Sequence, residues 1–429
     1  MTTPLRIAVA GLGTVGGGVV RVLAERSEDL GHRAGRAILL SQVCALDRAK
    51  RRTHDLAALK WAHSALDLAQ SDADVVVELI GGDNGIALDL IFAALSNGKH
   101  VVTANKSLLA RHGADLAELA ERKGVALKFE AAVAGGIPIV KALRESLVAH
   151  GIGAVRGILN GTCNFILTQM EATGRSFEDV LVEAQRMGFA EADPSLDVGG
   201  HDTAHKLALL ASLAFGIRPS LEQMTVEGIA NITPEDIAFA REFGYRIKLL
   251  GVARQGPDGI DQRVHPAMVK SGTPLADVEG AFNAVVADAG EAGPFFFAGR
   301  GAGQAPTASA VVADILDIAR GAIGPAFGRP ARELETAKPA QESARASAFY
   351  LRFQALDQPG VLAEIAARLA RAQVSIESMI QRGRALGETV AIVMITHPCT
   401  PFAVESALKD IAASAKILVA PTLIHMEPA

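Results

Sequence analysis

The chain has 429 residues, 49% of them hydrophobic, and a formal net charge of -5. Single cores rarely grow beyond roughly 250 residues, so two to four domains are expected, with ample material for an enzyme. The hydrophobic share excludes disorder, and the absence of any extended basic run argues against a nucleic-acid partner.

Cys44, Cys163 and Cys399 have neither metal-ligand spacing nor a pairing logic, which fits a reducing cytoplasm. The apolar N-terminal stretch raises a signal peptide, but its cluster of glycines from Gly11 to Gly18 makes a poor helix core. No later run is long and uninterrupted enough to span a bilayer, so a soluble cytoplasmic protein without a membrane partner is expected.

"LRIAVAGLGTVGGGVVRVLAER" reads as strand, glycine turn, helix. Further strands are expected at "AILLSQVCALD", "ADVVVELIG", "HVVTANK" and "VALKFEAAV", with helices between them such as "GIALDLIFAALSNGK" and "GADLAELAERKG". The alternation predicts an α/β, Rossmann-type doubly wound parallel sheet over residues 1–130. In "GLGTVG", Gly11 permits the tight turn, Gly13 lets the backbone approach a pyrophosphate, and Gly16 allows close helix packing. The pattern alone is weak and a packing turn is the bland alternative. Its position between strand and helix points to dinucleotide binding by Gly11, Leu12, Gly13, Thr14, Val15 and Gly16.

Cofactor choice should be written in "VCALDRAKRR". Asp47 suits a ribose hydroxyl, as in NAD enzymes, whereas Arg48, Lys50, Arg51 and Arg52 suit the 2′-phosphate of NADP, so both remain open. Lys106, in "VVTANKSLLA", falls at the end of a parallel strand, the edge where open α/β sheets bind ligands. Glu130 precedes a small-residue turn whose carbonyls at Val133, Gly135 and Ile137 could converge on a hard cation; spacing alone favours a plain turn.

Longer helices and strands of mixed length over residues 131–320 predict a separate α+β substrate domain. Thr233, Pro234 and Asp236 mark a helix start, and strands are expected at "RIKLLGVAR", "IDQRVHPAMV" and "AFNAVVADAG". In "GFAEADPSLDVGGHDTAHKLALLASLAFG", Asp202 and Lys206 share a helical face. An exposed pair would contribute only about 0.3–0.5 kcal/mol. The apolar continuation instead predicts partial burial, where a desolvated lysine becomes a candidate acid or base. Glu191, Asp193 and Asp197 could then offer carboxylates to a substrate ammonium.

Residues 321–346 mix Gly, Pro, Ala and charge without periodicity and read as a linker. Residues 347–429 spell β-α-β-β-α-β, the ferredoxin-like order.

These residues resemble a known family, the homoserine dehydrogenases of the bacterial form with a C-terminal ACT domain. The resemblance rests on "GLGTVG", "TANK", "EAAVAGGIPIV", "ILNGTCNFILTQM", "GRGAGQAPTASAVVADI" and above all "AQRMGFAEADPSLDVGGHDTAHK". It covers essentially the whole chain. It implies reduction of L-aspartate 4-semialdehyde to L-homoserine with NADP or NAD, on the route to threonine and methionine.

Carried over by position, Lys206 matches the acid/base lysine and Lys106 a second lysine beside cofactor and substrate. Glu191, Asp197 and Asp202 match substrate-binding carboxylates. Thr103 and Gly303 complete the nicotinamide pocket, with residues 300–320 returning to the first domain. Glu130, Val133, Gly135 and Ile137 match a structural sodium site. Leu46 stands where family members often carry an arginine suited to a 2′-phosphate. "DQPGVLAEIAARLA" implies an ACT module regulated by L-threonine near Asp357 and Gly360, in a homodimer or homotetramer; a dimerisation module without effector is the alternative. A catalytically silent dinucleotide sensor would be expected to lack the lysines and acids present here.

Overall fold

The structure, a computed structural model, describes residues 3–50, 52, 56, 59–340, 346–382 and 388–427. The first sheet is parallel and consists of β1 (Leu5–Ala10), β2 (Ile38–Cys44), β3 (Lys60–Trp61), β4 (Val75–Glu78), β5 (His100–Thr103) and β6 (Leu127–Lys128). Its order is β3-β2-β1-β4-β5-β6, the doubly wound arrangement whose strand order reverses beside β1.

Near-continuous apolar strands are what a sheet covered on both faces requires. Alternate residues serve the two faces. Ile7, Val9, Val75, Val77 and Val102 pack with the Thr14–Glu25 and Gln304–Ala319 helices. Ala8, Ala10, Val76 and Val101 face the Ile86–Ser96 and Lys106–Lys123 helices. The Gln304–Ala319 helix thus returns from late in the chain to cover the first sheet.

A second sheet of ten strands holds β7 (Ala154–Ile158), β8 (Thr225–Val226), β9 (Tyr245–Gly256), β10 (Gly259–Lys270), β11 (Phe282–Asp288) and β12 (Pro294–Arg300). It continues into β13 (Phe349–Leu356), β14 (Ile376–Gln381), β15 (Thr389–Thr396) and β16 (Thr422–Glu427). Its order is β12-β11-β7-β9-β10-β16-β13-β15-β14, with β8 beside β10. The last four strands, with the Val361–Arg371 and Pro401–Ala412 helices, make the ferredoxin-like βαββαβ unit. Their sheet is joined to the rest by parallel pairing of β10 with β16, Ala267 opposite His425 and Val269 opposite Glu427.

The helix start read from sequence is present: Thr233 and Asp236 form a reciprocal capping box on the Pro234–Glu242 helix. Asp236 does more than cap, because its buried carboxylate also accepts from Tyr350 Oη at 3.0 Å and from Arg352 Nε at 2.6 Å. This contact docks β13 on the helix.

Residues 321–346 were expected to be a linker, and for the described part this is corrected to a packed strap. Phe327 is buried and tilts against Phe129 with ring centroids 5.1 Å apart. Ala331 N–H donates to Glu121, Glu335 bridges Gly216 and Arg218, and Ile260 N–H donates to the Lys338 carbonyl at 2.8 Å. Isolated anchors and single-residue bridges need no periodicity, so the composition of a linker and that of a strap look alike. Among the described residues no helix is long and apolar enough to cross a membrane.

Candidate active site

The apolar run Leu207–Phe215 forms a buried helix, His201–Phe215, entered through Gly200 at φ +85°. Asp202 and Lys206 stand on one face of its first turns. Lys206 Nζ donates to Asp202 Oδ2 at 2.7 Å and to the Leu159 carbonyl at 2.7 Å, with only 11% of its side chain exposed. The expected desolvated lysine is therefore buried but also paired. Lys106 reaches the other carboxylate oxygen, Nζ to Oδ1 at 3.3 Å. It is the first residue of the Lys106–Lys123 helix, just beyond β5 rather than in it.

Asp202 thus bridges two ammonium groups. Burial on its own would raise its pKa, but the charges of Lys206 and Lys106 and the hydrogen bonds from Lys206 and Asn160 win, holding it well below the usual carboxylate range. Asp197 lies close by and is pushed up, chiefly by burial. The residue that joins these two acids is Asn160, whose Nδ2 donates to Asp197 Oδ1 at 2.7 Å and to Asp202 Oδ2 at 2.9 Å. Its Oδ1 caps the Gly161–Thr173 helix by accepting from Cys163 N–H at 2.8 Å, which obliges the amide nitrogen to face the acids. Asn283 Nδ2 donates to the same Leu159 carbonyl that holds Lys206. Sequence reasoning missed Asn160 and Asn283. A cap-type Asn directly after a strand was the available signal for the first, and nothing local marked the second.

Glu191 is not brought into this cluster: it is exposed, and its carboxylate makes no hydrogen bond among the described residues. Asp193 closes its own turn by accepting from Ser195 N–H.

At the C-terminal edge of the first sheet the glycine turn has the shape its motif predicts. Gly11 has φ +93°, and a Cβ there would fall 2.4 Å from the Leu79 carbonyl oxygen. A Cβ on Gly16 would fall 1.9 Å from the Gly11 oxygen, whereas one on Gly13 would meet nothing within 4 Å. The open side is where an anion would approach the N-terminus of the Thr14–Glu25 helix, so the residues present fit a dinucleotide.

Glu78, a buried acid ending the apolar β4, was not singled out from sequence. It accepts from Thr103 Oγ1 at 2.6 Å and from Ile80 and Gly81 N–H, tying the loops around the turn together. Gly303, at φ +114°, precedes the helix that packs beside Gly18.

The adenosine end is less committed. Asp47 Oδ1 accepts from Ala49 and Lys50 N–H, Arg48 and Arg52 stack over Trp61, and Leu46 is fully exposed. Arg51 lies outside the described residues.

Around Glu130 the chain turns tightly, with Ala134 at φ +53° and Gly135 at φ +55°. The Glu130 carboxylate accepts from Val140 and Lys141 N–H, and its own N–H donates to Asp314 at 2.8 Å. Burial, then the charge of Glu130, push Asp314 up to about 7. The Ile137 carbonyl accepts from Ile139 N–H, whereas those of Val133 and Gly135 have no hydrogen bond among the described residues. In the C-terminal unit, Asp357 follows β13 and Gly360, at φ +89°, precedes the Val361–Arg371 helix.

Two ammonium groups locked on one acid, at the sheet edge that carries a dinucleotide turn, can deliver a proton to an oxygen that gains charge as hydride arrives. Fold and site together define a nicotinamide-dependent oxidoreductase.

The homoserine dehydrogenase family matches residues 138–316, its NAD-binding domain residues 11–130, and the ACT domain residues 349–415. A homoserine dehydrogenase of Neisseria gonorrhoeae is 46% identical over 432 residues, covering 99% of both chains. The crystal structure of a homoserine dehydrogenase from Thiobacillus denitrificans superposes with a TM-score of 0.93 at 43% identity, covering 99% of each chain. A hyperthermophilic archaeal homoserine dehydrogenase in complex with NADPH covers 76% of this chain and all of its own, at 26% identity and a TM-score of 0.64. The chain belongs to the homoserine dehydrogenase family, NAD(P)-dependent oxidoreductases acting on a CH–OH group.

Proposed function

We propose that this protein reduces L-aspartate 4-semialdehyde to L-homoserine, with Lys206 as the proton donor. The observation that carries the reading is the bridge from Lys206 through Asp202 to Lys106. A bound reduced nicotinamide supplies the hydride to the aldehyde carbon. As the carbonyl oxygen gains negative charge, Lys206 Nζ gives it a proton, and Lys106 stabilises the oxygen or shares the transfer. Asp202 orients both lysines, while Asp197 and Glu191 take the substrate ammonium. For Glu191 this role rests on the family resemblance, since it lies on an exposed loop outside the cluster.

Gly11, Leu12, Gly13, Thr14, Val15 and Gly16 hold the dinucleotide phosphates, and Thr103 and Gly303 border the nicotinamide. NADP and NAD both remain candidates, because Asp47 and Arg48 favour opposite cofactors.

A structural sodium ion at Glu130, Val133, Gly135 and Ile137 belongs to the same reading. It is supported by the two free carbonyls and the buried acids beside them. So do feedback inhibition by L-threonine near Asp357 and Gly360, assembly as a homodimer or homotetramer, and a place in threonine and methionine biosynthesis in the cytoplasm.

The test is oxidation of NADPH and of NADH by the purified protein with aspartate semialdehyde, repeated with Lys206→Ala and with added L-threonine. Loss of one acid/base group should lower kcat by about 10²–10⁴. A folded wild type without turnover would sink the reading, an unimpaired Lys206→Ala would remove the proton role, and insensitivity to threonine would remove only the regulation.

A further inference from the structure

The Leu159 carbonyl, which receives Lys206 Nζ at 2.7 Å, is held by a second donor, Asn283 Nδ2 at 3.0 Å. Asn283 stands near the start of β11, is 1% exposed, and lies 124 residues along the chain from its partner. Its Oδ1 is buried and accepts no hydrogen bond among the described residues.

That open acceptor bears on why an asparagine stands here. An amide cannot present its oxygen to a carbonyl oxygen, so donation to Leu159 turns Oδ1 away and leaves it unmet. A buried acceptor without a donor carries a cost that an apolar side chain of similar outline avoids. Asparagine is therefore a poor choice for stability alone, which points to a task for its donor. The group that the donor holds is the carbonyl under Lys206.

The other side of the amide meets the chain that leads to the cofactor. β11 and β12 pair with Asn283 opposite Gly299. A Cβ on Gly301 would fall 2.1 Å from both Cγ and Nδ2 of Asn283 and 2.4 Å from Oδ1, so the Gly301 backbone packs on the face of the amide. Gly161 closes in on the oxygen, since a Cβ there would lie 3.5 Å from Oδ1. Two residues beyond Gly301, Gly303 opens the Gln304–Ala319 helix on the side assigned above to the nicotinamide.

We infer that Asn283 is a positioning residue of the reaction, fixing the Leu159 carbonyl, and with it the Lys206 ammonium, against the segment that borders the nicotinamide. Lys206 has three protons; Asp202 takes one and Leu159 another, so the third is left for a substrate oxygen. The direction of that third proton follows from the other two, and the direction of the Leu159 carbonyl follows from Asn283. Contact with Gly301 ties the same amide to the cofactor segment. The inference rests on Lys206 as the proton donor.

The test is steady-state kinetics of full-length Asn283→Leu and Asn283→Asp with aspartate semialdehyde and reduced nicotinamide cofactor, in water and in deuterium oxide, beside the wild type and Lys206→Ala. Thermal unfolding checks the fold. Asn283→Leu removes the donor and the open acceptor together with nearly the same outline, so it should unfold close to the wild-type temperature. Its kcat should nonetheless fall about tenfold or more, as when a reacting group is slightly misplaced. The KM for cofactor should be unchanged, and the solvent deuterium isotope effect on kcat should exceed that of the wild type, because proton delivery becomes the slow step. A merely structural role would lower the unfolding temperature and leave the isotope effect as it was. Should Asn283→Leu fail to fold, Asn283→Asp carries the test: the introduced carboxyl can donate to Leu159 only while protonated, so kcat should fall as pH rises through its ionisation. Folded variants with wild-type kcat, or with a lower kcat and an unchanged isotope effect, would overturn the inference. An inactive wild type or an unimpaired Lys206→Ala would remove the proton role of Lys206 and this inference with it. An impaired Lys206→Ala beside an unaffected Asn283→Leu would remove the part of Asn283 alone.

Discussion

Asn160 shows how much one side chain can organise. Its carbonyl oxygen caps a helix while its amide nitrogen holds Asp197 and Asp202 together, so a single amide joins the helix start to the acids that orient the lysines. It is a positioning residue. Asn160→Ser keeps a cap acceptor and should therefore lose less stability than Asn160→Ala. It loses the charged hydrogen bonds, so kcat should fall about tenfold or more with the KM for cofactor unchanged. Asn160→Ala should lose the cap as well and be measurably less stable in urea. Wild-type kcat in Asn160→Ser would show that the acids are held without it.

At the scale of the element, the glycine turn separates folding from binding. Gly16 has no space, because an added Cβ would collide with the Gly11 carbonyl, and opening the turn would move strand against helix. Gly13 has space on the side where phosphate approaches. Gly16→Ala should therefore unfold at clearly lower temperature and lose cofactor binding with it. Gly13→Ala should stay within about 0.5 kcal/mol of wild type, as substitutions that touch nothing do. Its KM for the nicotinamide cofactor should nevertheless rise at least about tenfold, measured in the same assay. Equal thermal losses in the two variants would refute the distinction.

At the scale of the whole molecule, the C-terminal unit is built into the central sheet. The β10–β16 pairing makes one backbone of two units, and Asp236 binds the Pro234–Glu242 helix to β13 through Arg352 and Tyr350. Arg352→Met would leave the buried Asp236 carboxylate without its cation, a loss of about 3–5 kcal/mol. Urea denaturation should show it, with the C-terminal unit released first and the strap becoming sensitive to limited proteolysis. A stability change below about 1 kcal/mol would mean that the strand pairing alone holds the units together. The strap works in the same sense, since Phe327 and the bridges at Glu335 and Lys338 fasten the chain along the catalytic part before it reaches β13.

Local signals are legible when the interacting residues are near in sequence. The alternation of strand and helix, the glycine turn, the capping box at Thr233 and the shared face of Asp202 and Lys206 all rest on spacings of a few residues, where helical and strand periodicity dictate direction. The βαββαβ unit was legible for the same reason. What only the tertiary structure decided was which distant groups meet. Lys106 reaches Asp202 and the Leu159 carbonyl receives Lys206 and Asn283 across separations that no periodicity encodes. The same holds for the strap and for the union of two sheets through β10 and β16, because packing of the folded chain, rather than local preference, selects such contacts.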